Sequence, residues 1–243
     1  MALIVNADDF GLSPQVNRAI VQAFDEGLIG RTTLMVNMPA AKEAVELARE
    51  RGFLDKVGLH LNLTSGRPLT DSISKDPVMC SGSGEFTADF ARNIKTRLYL
   101  PKTTQLSVEK EIRAQLDMYR DLGCTLWHID SHHHVHTDPS VWIILKKVMK
   151  DYPVTSVRLG RNMYRGGNPL MHLYKFILNS SVKKYCSTCP DYFGSAVDYE
   201  AFFGSKSADS NHYDIEVMVH PVFDGEGKLC DATGNAMSEM IMI

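Results

Sequence analysis

Short apolar runs of strand length alternate along the chain with segments whose apolar residues recur at helical spacing. In the first such unit, residues 2–6 (ALIVN) predict a buried strand, and Ser13-Pro14 predicts the start of a helix that ends at Gly27. The same pattern predicts strands at 32–37, 57–63, 124–130, 154–160 and 214–220, and helices at about 40–51, 107–123, 141–150 and 169–178. Strands that alternate with helices favour an α/β fold with a mainly parallel sheet.

Two stretches lack a clear period, residues 64–106 and residues 161–212. Both are rich in turn-forming residues, and Ser107 is expected to cap the helix that follows the first of them. Long irregular stretches in a compact domain are commonly functional loops. We therefore expect a single catalytic domain over residues 1–243, with variable substrate loops at about 64–106 and 161–212.

Polar residues that can take part in catalysis or metal binding lie where the predicted strands end. Asp8 and Asp9 follow the first strand, His60 lies in the third, the segment SHHHVH at 131–136 follows the fourth, and His220 ends the last. In parallel α/β folds ligands bind at the carboxyl ends of the strands. These side chains are therefore expected to converge on one face of the molecule.

A carboxylate and two imidazoles can hold a divalent metal ion with positions left open for a substrate. Asp9, His60 and one or two of His132 and His136 supply that set. Taken alone, His60 is better interpreted as a core histidine. The alternative for the histidine segment is an exposed loop with incidental metal affinity. Their joint occurrence with two aspartates at a matching strand end favours the metal site.

Adjacent carboxylates repel, and a cation that takes one of them as a ligand reduces that repulsion. Asp9 would then bind the ion, and Asp8 would act as the general base on a water molecule. His220 would be the general acid, or else a packed histidine at the end of its strand. Asp130 would either orient a ligand imidazole or be a structural turn residue, and Arg158 would orient a carboxylate, bind substrate or lie at the surface.

Composition further narrows the possible functions and cellular locations of the protein. The formal net charge of the 243 residues is -3, so no basic field points to nucleic acid, and the apolar runs are too short to span a membrane. Five scattered cysteines and an N-terminus without a secretory pattern favour the cytoplasm. Cys186-Ser-Thr-Cys189 has no partner pair at zinc-finger spacing and is interpreted as chemically unremarkable.

The motifs NADDFG (6–11) and DSHHHVH (130–136), with VGLHLNLTSGRPL (57–69) and EVMVHP (216–221), resemble those of the YdjC/ChbG-like carbohydrate deacetylases. The resemblance implies a distorted TIM-like (β/α) barrel related to the NodB-type polysaccharide deacetylases. It also implies metal-dependent removal of acetyl groups from N-acetylated sugars or chitooligosaccharides such as diacetylchitobiose. By motif position, it makes Asp9, His60 and His132 metal ligands, Asp8 the base and His220 the acid, with His136 as a supporting ligand.

The resemblance implies magnesium as the metal, whereas two imidazoles suit zinc or another transition ion better, and both stay open. Hydrolysis of another small amide or ester is an alternative function, and so is metal or sugar binding without turnover. A homodimer is also left open. Family members continue beyond the segment HPVFDGEGK (220–228) into a further strand and helix, so the end at residue 243 leaves barrel closure and full activity as open questions.

Overall fold

The computed structural model describes residues 2–164, 166–204 and 212–237. The main sheet consists of β1 (Leu3–Phe10), β2 (Arg31–Leu34), β3 (Val57–Leu61), β4 (His128–Ser131), β5 (Ser156–Val157), β6 (Tyr192–Ser195) and β7 (Ile215–Val219). Across the described residues this sheet has seven strands in the order β5-β4-β3-β2-β1-β7-β6, and all neighbouring strands are parallel.

Helices connect these strands, as the alternating pattern predicts. They are α1 (Pro14–Asp25), α2 (Ala41–Glu50), α3 (Asp71–Ser74), α4 (Asp89–Arg92), α5 (Ile94–Leu98), α6 (Lys102–Asp121), α7 (Pro139–Val148), α8 (Pro169–Lys183) and α9 (Ala196–Phe203). Short 3-10 turns occur at Leu54–Lys56, His132–Thr137 and Met149–Asp151, and β8 (Pro221–Phe223) pairs with β9 (Leu229–Asp231) as an antiparallel ribbon. Throughout the described parts of the chain, each helix is too short or too polar to cross a bilayer.

The first β-α unit forms for the reasons visible in its sequence. The Ser13 hydroxyl accepts a hydrogen bond from the Val16 amide at 3.2 Å, and Pro14 occupies the first helical turn. Gly27, with φ of 71°, follows the helix in a left-handed conformation that suits glycine. Ala19, Ile20 and Ala23 of its apolar stripe are fully buried, which fixes the helix against the sheet.

The sheet is curled, so its two edges approach each other. The amide of Asn162, just beyond β5, donates to the Phe193 carbonyl of β6 at 3.1 Å, and the Asn162 side chain accepts from the Phe193 amide at 2.7 Å. The predicted distorted barrel is therefore confirmed as a curled parallel sheet. It has seven strands in the described residues, whereas a TIM barrel has eight.

Several predicted boundaries are wrong. Ser107 does not cap α6, which begins at Lys102 after Pro101; the Ser107 hydroxyl instead donates to the Thr103 carbonyl within the helix. The segment 64–106 contains the short helices α3, α4 and α5. Residues 161–212 contain β6 and α9, and the predicted helix at 169–178 extends to Lys183. Residues 205–211 of that stretch lie outside the described residues.

Candidate active site

The two adjacent carboxylates at the carboxyl end of β1, those of Asp8 and Asp9, have different partners. The pairing register of β1 with β2 shifts between Ala7 and Phe10, and Asp9 has a φ of 69°. A left-handed backbone is costly for a residue other than glycine and is typical of functional positions. At this irregularity Asp9 lies against His60 of β3 and His132 of the turn that follows β4, while Asp8 is buried inside the protein.

Asp9, His60 and His132 form a compact group at this edge, with one ligand atom of each lying within 4.8 Å of the others. His60 Nε2 is 3.2 Å and His132 Nδ1 is 2.8 Å from the same oxygen, Asp9 Oδ1. His60 is buried, whereas the side chains of Asp9 and His132 keep 16% and 15% of their surface exposed. A ligand can therefore reach the group from one side.

The orientation of His60 is fixed from behind. His60 Nδ1 lies 2.6 Å from Asp130 Oδ1, and the Thr33 hydroxyl donates to Asp130 Oδ2 at 2.9 Å. Burial lowers the pKa of His60, but the charge and hydrogen bond of Asp130 outweigh it and raise that pKa to about 10. Asp130 thus orients the imidazole of His60, which lies in β3.

These donors fit a divalent metal ion. Two imidazole nitrogens and a carboxylate oxygen converge, and a carboxylate behind one imidazole is the usual support of a metal-binding histidine. A second group, Asp8 with His60 and Asp130, overlaps the first. It fits less well, because Arg158 pairs with both of its carboxylates and Asp130 uses His60 Nδ1.

Asp8 is held by an arginine. Arg158 donates from both terminal nitrogens to the two Asp8 oxygens, at 2.6 and 2.7 Å, and the Asn6 amide donates to Asp8 Oδ1 at 2.8 Å. Burial raises the pKa of Asp8, but the charge and hydrogen bonds of Arg158 outweigh it and hold that pKa well below its ordinary value. Asp8 is therefore ionised at neutral pH.

Arg158 is fully buried, so its interpretation as a surface residue is wrong. Besides Asp8 it contacts Asp130, at 2.8 Å, and Glu216, whose Oε1 accepts from Arg158 Nε at 2.6 Å. Arg31 lies 2.9 Å from the other Glu216 oxygen, and the ring of Phe193 packs against the guanidinium. Burial raises the pKa of Glu216, but the charges of Arg31 and Arg158 outweigh it and lower that pKa to about 2. A buried network of alternating charges thus supports the base candidate.

Glu216 is the residue that the sequence analysis missed. A signal was present, because an acidic residue in the middle of the apolar run IEVMV is not expected in a strand buried on both faces. Such a residue requires a buried cation, and Arg158 in the run SVRLG is the matching one.

His220 lies at the rim of the site. Its Nε2 is 4.0 Å from Asp8 Oδ2, its side chain is 36% exposed, and its backbone amide donates to Asp231 of β9 at 2.7 Å. It is therefore close to Asp8 and open to solvent.

His136 is placed elsewhere. Its Nδ1 lies 2.6 Å from the Ser131 hydroxyl and its Nε2 lies 3.0 Å from the Arg158 carbonyl, so both ring nitrogens are used inside the protein. The expectation that His136 supports the metal site does not fit this geometry. Between His132 and His136, the residues His133 and His134 both have φ of 55°, so the backbone turns sharply there.

Comparison with known proteins identifies relatives of this chain. Residues 2–240 match the model of the family described as YdjC-like protein. A carbohydrate deacetylase of Geobacillus stearothermophilus is 34% identical over 222 residues, covering 90% of this chain and 79% of that protein. A carbohydrate deacetylase of Vibrio cholerae serotype O1 is 44% identical over 156 residues, covering 63% of this chain and 57% of that protein.

A solved structure from Enterococcus faecalis V583 has the same fold. That protein is named for cellobiose-phosphate cleavage. Its superposition on this chain has a TM-score of 0.67 at 24% identity and covers 92% of this chain and 82% of that chain. The curled parallel sheet is therefore shared with a solved structure.

Proposed function

The chain belongs to the YdjC-like protein family, and from this we propose that it is a metal-dependent carbohydrate deacetylase. Its substrates would be N-acetylated sugars or chitooligosaccharides, and its products acetate and a free sugar amine. The observation that carries the proposal is the division of the two carboxylates, with Asp9 against the imidazoles of His60 and His132 and Asp8 paired with Arg158.

Asp9, His60 and His132 would hold one divalent ion. Bound there, the ion would polarise the acetamide carbonyl and make a water molecule more acidic. The resemblance of the motifs implies magnesium, while the two imidazoles favour zinc or another transition ion.

Asp8 would accept the proton of the attacking water. Arg158 keeps it ionised, which is the state a base requires, although the same pairing lowers its affinity for a proton. The fixed hydrogen bonds from Arg158 and Asn6 leave the Asp8 carboxylate little freedom to turn away. The chain thus supplies a base whose position is set before substrate binds.

His220 would donate a proton to the leaving sugar amine. Its Nε2 is 4.0 Å from Asp8 Oδ2 on the solvent side, so the carboxylate and the imidazole would both be within reach of the same reacting group.

We also propose that the protein acts in the cytoplasm. Its five cysteines are all free thiols, which is the state that a reducing compartment preserves.

Acetate release from diacetylchitobiose tests the function. Metal-stripped protein should release no acetate, and activity should return with one of Mg²⁺, Zn²⁺, Co²⁺ or Mn²⁺. The matched control is chitobiose without acetyl groups. If the protein binds the sugar but releases no acetate with any of the four ions, the proposal is contradicted and a binding protein is favoured. Acetate release from small esters but not from N-acetylated sugars would favour the alternative function, hydrolysis of another small amide or ester.

A further inference from the structure

The loop after α8 contains two thiols three residues apart, in the segment Cys186-Ser-Thr-Cys189. It lies along the outer edge of β5, where the amides of Ser187 and Thr188 both donate to the Thr155 carbonyl, at 3.0 and 3.2 Å. The Cys189 thiol donates to the Val157 carbonyl at 3.7 Å. Backbone and side-chain contacts thus hold the whole segment as a turn against the sheet.

The two thiols lie three positions apart in this turn, and each shifts the pKa of the other. The neighbouring Cys186 thiol lowers the pKa of Cys189, with help from the charge of Lys183, while the neighbouring Cys189 thiol and burial raise the pKa of Cys186. Both thiols are partly exposed, whereas the other three cysteines of the chain, Cys80, Cys124 and Cys230, are buried. Two adjoining thiols of unequal acidity at an accessible turn are the arrangement of a dithiol that undergoes exchange.

We propose that Cys186 and Cys189 form a redox-active pair, which closes to an intrachain disulfide by exchange with a small-molecule disulfide such as oxidised glutathione. The pair lies outside the candidate active site, so this inference does not depend on the proposed deacetylase activity.

The exchange proceeds in two displacements. The Cys189 thiolate attacks one sulfur of the small disulfide, which forms a mixed disulfide and releases one small thiolate. Cys186 then loses its proton to solvent, and its sulfur attacks the Cys189 sulfur and releases the second small thiolate. Two protein thiols are oxidised to one disulfide, and the small disulfide is reduced to two thiols.

Closure also removes a contact at the sheet. Once oxidised, Cys189 has no S–H to donate to Val157, the residue that precedes Arg158. The redox state of the turn therefore changes hydrogen bonding at the edge strand next to the buried charge network.

Alkylation under graded glutathione buffers tests the pair. The native chain is equilibrated at a series of ratios of reduced to oxidised glutathione and is then alkylated and digested. The mass of the peptide that carries residues 186–189 is measured by mass spectrometry. We expect it to lose both alkylation sites and two hydrogens as the buffer becomes oxidising, with Cys80, Cys124 and Cys230 unchanged. Full alkylation of both thiols at every ratio would overturn the proposal.

Single variants separate the two roles. Cys186→Ser should accumulate the mixed glutathione disulfide at Cys189, because no second thiol resolves it. Cys189→Ser should leave Cys186 largely unmodified over the same period. Equal modification of both variants would contradict the assigned order of attack, and circular dichroism of each variant checks that it is folded.

Discussion

At the scale of single residues, two adjacent carboxylates avoid mutual repulsion because each has its own cation or cation site. Arg158 neutralises Asp8, and the His60 and His132 imidazoles surround Asp9. The pKa of each carboxyl lies below its ordinary value, although burial acts against ionisation in both. Different neighbours would therefore let the two residues of one dipeptide perform the two proposed tasks.

Replacing Asp8 separates those tasks. Asp8→Asn should lower kcat by about 10²–10⁴-fold, the usual contribution of a general base, and leave metal binding within a few-fold. Acetate release and metal titration by calorimetry measure the two effects. Asp9→Asn, the matched variant, should lose metal binding as well as turnover, and unchanged turnover in Asp8→Asn would remove the base assignment.

Glu216 should give the fold an acid-sensitive component. A carboxyl whose pKa is lowered on folding stabilises the native state above its unfolded pKa and loses that contribution as pH falls through the folded value. For Glu216 the window runs from 4.5, its ordinary value, down to about 2. Its ionisation then contributes roughly 3 kcal/mol at neutral pH.

The Glu216→Gln variant tests this contribution. Within that window, its unfolding free energy should fall less steeply with acid, by up to about 1.4 kcal/mol per pH unit. Urea unfolding across the acid range measures the slope. Asp25→Asn, which removes only an exposed pairing with Arg51, is the control and should keep the wild-type slope. Equal slopes in wild type and Glu216→Gln would contradict the prediction.

At the scale of elements, a buried side chain of α6 holds the loop that follows β3. Glu111 is fully buried and accepts from the amides of Leu69 and Thr70, at 3.0 and 2.9 Å, and from the Thr70 hydroxyl at 2.8 Å. Gln115, one turn later, donates to Glu111 and to the Asn62 carbonyl. The first residues of the irregular segment are therefore tied to the strand that carries His60.

Loosening that contact should free the loop without touching the metal site. Glu111→Gln replaces one acceptor with a donor, and we expect a loss of about 1–3 kcal/mol in unfolding free energy. Faster hydrogen exchange at the Leu69 and Thr70 amides is the specific readout. Glu109→Gln on the same helix breaks only partly exposed pairs with Arg113 and Lys147 and should leave those amides unchanged. Unaltered exchange in Glu111→Gln would contradict the role of this contact.

At the scale of the whole molecule, the sequence predicts the α/β alternation and the edge that carries the site because both depend on local patterns. Polar residues at the ends of apolar runs identify Asp9, His60 and His132. The charge network around Arg158 is harder to predict, because its pairs join residues 150 and 58 positions apart. The strand β6 is missed because its sequence, YFGS, ends in a glycine and a serine that are typical of a turn, although the capping pair Ser195 and Asp198 marks the start of the helix after it.

Metal should stabilise the folded chain as a whole, because the three donors come from separate strands and their following turns. At 100 times its dissociation constant the ion should add about 2.7 kcal/mol to the unfolding free energy, seen as a rise in Tm. The gain should shrink as pH falls, because the ion must displace the proton on His60 Nε2, the nitrogen that faces Asp9, while Asp130 keeps the proton on Nδ1. Thermal unfolding with and without chelator measures it. An equal gain in Asp9→Asn would show that the ion binds elsewhere.

The position of β1 inside the sheet bears on how the molecule is made. β1 lies between β2 and β7, and Leu3 pairs in register with Ile215. A chain emerging from the ribosome therefore carries the NADDFG segment long before its second neighbouring strand has been translated. Until β7 arrives with Glu216, the Arg158 guanidinium lacks one of its carboxylate partners. Assembly of the charge network behind the candidate site is thus a late event of biosynthesis, although Asp8 is among the earliest residues to be joined.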